Sequence, residues 1–354
     1  MINSLNGIRA FLFLLIFGAH FKYVIIYSDL GKSLFNFFNT ARFAVLFFIL
    51  LSGFCMALGY YNKFQTLSKQ NYFDYIKRRF IKFYPLYLLS GLVGLFFIYL
   101  PQDSHYLNIF VLFYVTMLAP WFGIDAGGNP VGWFMSAIFF CYLATPPVLY
   151  LLNKKFSPKF QAGFCLINYL ILIIFSFWLF LRHDVYNEFL YRFPVVRLFE
   201  YVIALDIGIV FAKLLKDNIK PKFLDNYFYK SLVDLVFVIL FLVILYICPN
   251  NLLYRHLFEI PLVVLFLVYI CIQKRSVLFD ILNSNICNLL GNISFECFMI
   301  HILVFRLSSS YSAGKIFSIP DITVLYFTLL FVTILIAFIY KKAETVIKKR
   351  LIRC

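Results

Sequence analysis

Apolar residues come along this chain in blocks of about 18–22, separated by short runs rich in lysine and arginine. A block of that length crosses a roughly 30 Å hydrocarbon layer as a helix. The blocks lack the two-residue alternation of a strand. A spanning segment must also satisfy its own backbone polar groups, so the pattern predicts helices and not a barrel. The predicted spans are 5–26, 43–61, 80–100, 132–152, 160–181, 195–215, 231–248, 257–272, 287–306 and 322–340. One further block, 106–122, is apolar but short and ends in Ala119-Pro120-Trp121.

Charge placement bears on that block. Lys63, Lys69, Lys77, Arg78 and Arg79 fall in one connection. Lys154, Lys155 and Lys159 fall in another, and Lys213, Lys216, Lys220, Lys222 and Lys230 in a third. Lys274 and Arg275, and the basic tail after 340, complete the set. All of them lie on one side if 106–122 does not cross, and on opposite sides if it does. The positive-inside rule therefore favours ten crossings with both termini cytoplasmic and a re-entrant or interfacial segment near 106–122, with eleven crossings as the alternative. The expected fold is an all-α, polytopic integral membrane helical bundle. Composition agrees: 63% of residues are hydrophobic and 14% charged, against about 45–50% and 25% in soluble domains.

The net charge of +16 could suggest nucleic acid, but its position between spans makes it a topology signal, and no nucleic-acid partner is expected. Eight cysteines are scattered without a CxxC pair, mostly inside apolar blocks. There they act as small hydrophobes, and neither a disulfide framework nor a metal site is expected. The first block has no small-residue cleavage site and reads as a retained helix. With no long polar linker, residues 1–354 read as one membrane-embedded domain without a soluble one, so the chemistry falls to the membrane domain.

The stretch RAFLFLLIFGAH, residues 9–20, puts ionisable groups at both ends of an apolar segment. Eleven residues make three turns plus roughly 20°, so Arg9 and His20 share one helix face, about 16.5 Å apart along the axis. Arg9 then sits at the cytoplasmic boundary, where it can snorkel. His20 sits near the midplane, where an imidazole either lines a pathway, with a pKa suited to proton transfer, or bonds to a neighbouring helix. Glu296 and His301 share another span but point about 140° apart. Arg197, Glu200 and Asp206 occupy one span as a site or a structural network. Asp234 reads as interfacial.

The motifs line up, in order over nearly the whole chain, with a family. LNGIR leading to Arg9, followed by ten residues and His20, resembles the opening of the acyltransferase family 3 membrane proteins. FFILLSGF (47–54), RRFIKFYP (78–85), GWFMSAIFFCYLATPP (132–147), RLFEYVIALDIGIVF (197–211) and ISFECFMIH (293–301) resemble its later motifs. The chain departs from the family pattern at Ile138 and Phe139, where acids are frequent, at Glu296 and Asp206, and at Glu344, which lacks the proline of Glu-x-Pro.

The resemblance implies a bacterial inner-membrane enzyme. It would take an acyl group, usually acetyl, from cytoplasmic acetyl-CoA and deliver it to a hydroxyl of an envelope glycan or lipid-linked sugar. Arg9, Arg78, Arg79 and Lys82 would hold the coenzyme A phosphates, as arginine and lysine suit phosphate. His20 would act as general base or help form an acyl-enzyme, and His301, Ser136 or Trp133 would orient the carbonyl. A flippase for lipid-linked glycan is the rival. A glycan polymerase would want a larger, arginine-bearing outer loop, and a scaffold would not need midplane charges.

Overall fold

A computed structural model describes residues 3–21, 24, 41–154, 157–182, 188–216, 226–247, 251–272, 275–312 and 318–353. Among them the elements are all helical. They are α1 (Asn3–Phe21), α2 (Ala41–Tyr60), α3 (Lys69–Tyr99), α4 (Tyr106–Ile109), α5 (Ala119–Phe122), α6 (Gly132–Lys154) and α7 (Pro158–Leu181). Then come α8 (Glu188–Arg192), α9 (Pro194–Lys216), α10 (Tyr227–Ile247), α11 (Leu252–Ile272), α12 (Val277–Leu282), α13 (Asn285–Ser312) and α14 (Ile319–Arg353). Nine of the described helices are long and apolar enough to cross a membrane. The tenth expected span, α9, is also a 23-residue helix, but it carries Arg197, Glu200 and Asp206. It is tolerated because it lies inside the bundle, where those three side chains are buried.

Helices α3 and α14 overrun their expected limits the most. Ser68 caps α3, its Oγ accepting from Asn71 N at 3.1 Å, so the basic stretch before residue 80 is helical. At about 1.5 Å per residue the 31 residues of α3 reach roughly 46 Å, more than the hydrocarbon layer needs. The basic tail likewise continues α14 as helix to Arg353.

Close packing at small residues builds the centre. A Cβ on Gly53 of α2 would stand 2.4 Å from the Tyr201 carbonyl of α9, and one on Gly291 of α13 only 2.0 Å from the Asn6 carbonyl of α1. Only hydrogen fits at either point. Asn6 Nδ2 also donates to Asn292 Oδ1 at 3.3 Å, so the starts of α1 and α13 meet and the two helices run parallel.

The segment 100–131 leaves and re-enters at one end of the bundle. Tyr72 of α3 donates to Leu143 O of α6, Phe83 packs on Phe139 at 5.4 Å, and Gly132 abuts the Tyr87 ring. Rising numbers on α3 meet falling numbers on α6, so the pair is antiparallel and the intervening segment does not cross. Among the described residues, the structure therefore gives no eleventh crossing at 106–122. The segment dips until Val115 O accepts from Tyr84 at 2.9 Å. Tyr84 lies fifteen residues, roughly 22 Å, below the end of α3. Non-helical backbone at such depth needs its carbonyls satisfied. Tyr87 donates to Tyr114 O at 2.7 Å and Ser136 donates to Met117 O, where Met117 takes the left-handed φ of 62°.

Candidate active site

The parallel contact of α1 with α13 brings two histidines together that lie 281 residues apart. His20 Nδ1 and His301 Nε2 are 2.8 Å apart, with the rings stacked at 5.1 Å. His301 Nδ1 lies 2.7 Å from Phe298 O. A carbonyl only accepts, so His301 carries its proton on Nδ1 and offers the Nε2 lone pair. His20 Nδ1–H then donates to His301 Nε2, which places the basic lone pair of neutral His20 on Nε2. His301 is fully buried among Phe13, Phe17, Phe298 and Phe305, which fix its ring. His20 is half-buried. The arrangement can orient one imidazole and carry the positive charge that ring acquires on taking a proton.

A group of cations lies at the other end of the same α1 face. Arg9 Nη1 donates to Asn6 Oδ1 at 3.2 Å, and Nη2 lies 3.7 Å from Cys55 Sγ of α2. Lys82 lies within electrostatic reach of Arg79, Arg9, Lys341 and Glu296. Arg79 is held over the rings of Tyr60, Tyr75 and Tyr142 at 5.0, 5.4 and 5.5 Å, a cation–π box that fixes the guanidinium. Three of the four expected phosphate-binding residues, Arg9, Arg79 and Lys82, thus converge from α1 and α3. Arg78 does not join them. It is exposed, beside a small cavity it shares with Lys63, Asn71 and Asp74.

Lys341 is the member that sequence reading missed. Its Nζ donates to Glu296 Oε1 at 2.6 Å and to Glu344 Oε2 at 3.1 Å, and Lys348 bonds the other Glu344 oxygen. The signal was present in the tail as lysines three before and four after Glu344, a spacing that pairs only on a helix. It also explains Glu296, whose charge is matched across helices.

The remaining expected residues fall elsewhere. Ser136 makes its hydrogen bond to Met117 O, where it pins the re-entrant segment and not the histidine pair. Trp133 packs on Tyr191 of α8 at 5.1 Å. Tyr191 belongs to a second ionic cluster, in which Glu200 faces Arg197 Nη1 at 2.7 Å, His256 Nε2 at 3.1 Å and Arg255 Nε at 3.5 Å. Arg255 and His256 were assigned to a connection in the sequence, but they sit in the first turns of α11 and are buried. Asp206 is no part of that network. It lines a cavity of about 1210 Å³ with Gln161, Cys165 and Lys213. Asp234 accepts from Tyr269 at 2.8 Å and from Leu278 N at 2.9 Å, tying α10 to α12.

A family model described as an acyltransferase domain matches residues 2–342. The chain is 31% identical over 165 residues to an acyltransferase, MdmB, of Streptomyces mycarofaciens. That alignment covers 44% of this chain and 41% of the relative, so less than half of the relative's length is matched. No solved structure matches the chain. The family match takes in α1 with its Arg9–His20 face, the basic entrance of α3 and the His301 turn of α13; the chain belongs to the acyltransferase family 3 membrane proteins.

Proposed function

We propose that this protein is a membrane O-acyltransferase that moves an acyl group, acetyl in the simplest case, from a coenzyme A thioester to a hydroxyl of an envelope glycan or lipid-linked sugar. The observation that carries the reading is the His20–His301 pair, set on the α1 face that ends in Arg9. The face bearing the basic connections is read as cytoplasmic, which puts both termini inside and makes the host membrane the bacterial inner membrane.

In this reading Arg9, Arg79, Lys82 and Lys341 hold the donor phosphates. Arginine can bind two phosphate oxygens at once, and lysine adds point charge. The acyl-pantetheine arm extends along α1 toward His20. His20 Nε2 takes the proton as the acceptor oxygen attacks the thioester carbonyl. The new C–O bond forms, the C–S bond breaks, and the proton passes to the departing thiolate. His301 keeps the His20 tautomer correct and accepts a stronger bond from the imidazolium than from the neutral ring.

General-base catalysis contributes about 10²–10⁴-fold. His20→Ala should lose about that much transfer while still binding coenzyme A. Arg79→Ala should lose donor affinity and leave His20 in place. Surface-glycan mass and NMR analysis of cells with the wild type, with His20→Ala and without the gene identifies the acyl group and its sugar. Equal acylation in all three overturns the reading. Altered glycan amount with unchanged acylation is the result a flippase would give.

A further inference from the structure

Asn129 ties the return of the 100–131 segment to the helix that carries His301. Its Nδ2 donates to Met299 O of α13 at 2.6 Å, and its Oδ1 accepts from Val131 N at 3.2 Å. A carbonyl only accepts and an N–H only donates, so the two partners fix which way the amide points. The side chain is buried. By the helix rule Met299 O already receives the N–H of Leu303, and a carbonyl has a second lone pair. The Asn129 bond is therefore not needed to satisfy that carbonyl. It is an added tie, from a remote part of the chain, to the helical turn in which His301 stands.

The backbone is shaped to deliver that tie. Gly127 takes the left-handed φ of 64°, and its N–H donates to Asp125 Oδ1 at 3.3 Å. A Cβ on Gly94 of α3 would stand 2.6 Å from the Gly128 carbonyl, so α3 holds the peptide just before Asn129 at close quarters. Asp125 Oδ2 accepts from Tyr99 at 3.3 Å, and the Arg306 guanidinium of α13 stands 5.8 Å from the Tyr99 ring centre. The return segment thus meets α13 on both sides of His301, at Met299 directly and at Arg306 through Tyr99. Phe298, whose carbonyl accepts from His301 Nδ1, lies in the same turn as Met299. Moving that turn moves the His301 ring, and with it the acceptor 2.8 Å from His20 Nδ1. A catalytic constellation has to be held to within about 0.5 Å by supporting bonds of this kind.

We infer that Asn129 is a positioning residue of the histidine pair: its amide holds the Met299–His301 turn of α13 where His301 Nε2 accepts from His20 Nδ1–H. The inference rests on the acyl-transfer reading for its rate measurement, while a magnetic-resonance measurement on the resting protein does not. The full-length chain with isotope-labelled histidine, in lipid nanodiscs, is compared as wild type, Asn129→Ala and Tyr84→Phe. Tyr84→Phe is the control, because it also removes a hydrogen bond that holds the 100–131 segment, but one to Val115 O at 2.9 Å and not to α13.

In Asn129→Ala the proton between His20 Nδ1 and His301 Nε2, assigned by its loss in His20→Ala, should shift upfield and exchange faster with solvent. In Tyr84→Phe it should not move. Thiol release should show kcat lower by about 3–10-fold in Asn129→Ala, the effect of weakening one hydrogen bond, with the KM for donor unchanged. Tyr84→Phe should keep kcat within about twofold even where its unfolding temperature falls as far. Added to His301→Leu, Asn129→Ala should cost less than about twofold more, because it acts through that ring. Asn129→Ser keeps an oxygen for the Val131 N–H and is one bond too short for Met299 O, so it makes the same test if Asn129→Ala does not fold. An unmoved bridging proton, an equal kcat loss in Tyr84→Phe, or a double variant slower by the full product overturns the positioning role. A shifted proton in Asn129→Ala, together with full transfer in His20→Ala, overturns the acyl-transfer role of the pair and leaves its positioning by Asn129 standing.

Discussion

Replacing His301 by leucine tests the relay at its least exposed point. The side chain is fully buried in a ring-lined site, so an apolar residue of similar size fits. The change deletes the acceptor 2.8 Å from His20 Nδ1. A neutral hydrogen bond is worth about 0.5–1.5 kcal/mol net, and one to a charged group about 1.5–3 kcal/mol. The bond to His301 is neutral before proton transfer and charged after it. Its strengthening of about 1–1.5 kcal/mol is the part that lowers the barrier, a factor of about 5–13 in rate. Loss of tautomer control adds to this, so kcat should fall about 10–100-fold in His301→Leu, with donor affinity unchanged. His301→Gln retains an acceptor oxygen and should recover part of the loss. The assay is thiol release from acetyl-CoA by protein in lipid nanodiscs, with coenzyme A binding measured by calorimetry. The double variant with His20→Ala should be no slower than His20→Ala alone, because residues acting as one unit are not additive. A His301→Leu enzyme within twofold of wild type, or a double variant slower by the full product, refutes the relay.

Three further outcomes follow from the packing. Lys341→Gln should raise the KM for donor about tenfold, equivalent to about 1.4 kcal/mol. Adding Glu296→Gln should restore thermal stability without restoring KM, which separates lost binding from an orphaned buried carboxylate. Gly291→Ala should cost about 1–3 kcal/mol by overpacking, since its Cβ would stand 2.0 Å from a backbone oxygen. Its kcat should fall with the unfolding temperature as α1 is pushed from α13, and unchanged activity would contradict the close contact. Ser136→Ala should destabilise by about 1–3 kcal/mol through the unsatisfied Met117 carbonyl, while the enzyme that remains folded keeps its kcat for transfer.

Much of the fold was legible because lipid imposes a simple rule on sequence. Block length located the spans, and the basic connections argued against a crossing at 106–122, in agreement with the antiparallel α3–α6 pair. What block length could not give was the helix beyond the lipid. Ser68 starts α3, and α14 continues past residue 340, in charged sequence that reads as loop when hydropathy is the only guide. Lys341 was missed for that reason. Arg9 and His20 were legible as one face of one helix. The meeting of His20 with His301 was not, because it depends on Gly291 allowing two remote helices to touch. Trp133 and Ser136 were picked out as polar groups in the right motif, but which carbonyl or ring each would face is a tertiary fact. Glu200 looked like a one-helix network with Asp206, and its true partners arrive from α11.

The 281-position separation of His20 and His301 also sets a timetable for biogenesis. At about 5–20 residues per second, a ribosome needs on the order of 15–55 s after His20 to make His301. Through that interval α1 is in the bilayer with a polar ring and no partner from α13, a state that lipid disfavours. Arg9 has its contact on α2 at Cys55 much sooner, 46 residues on. The nascent chain can therefore settle its arginine early but must keep its histidine sheltered, against the insertion machinery or an interim neighbour, until the ninth long helix arrives. In the proposed acyl-transfer reading, interrupted synthesis before α13 would leave a protein that holds part of the donor site and lacks His301 beside its base. Such a fragment could sequester thioester without transferring it, and its α1 is the segment we would expect membrane quality control to recognise.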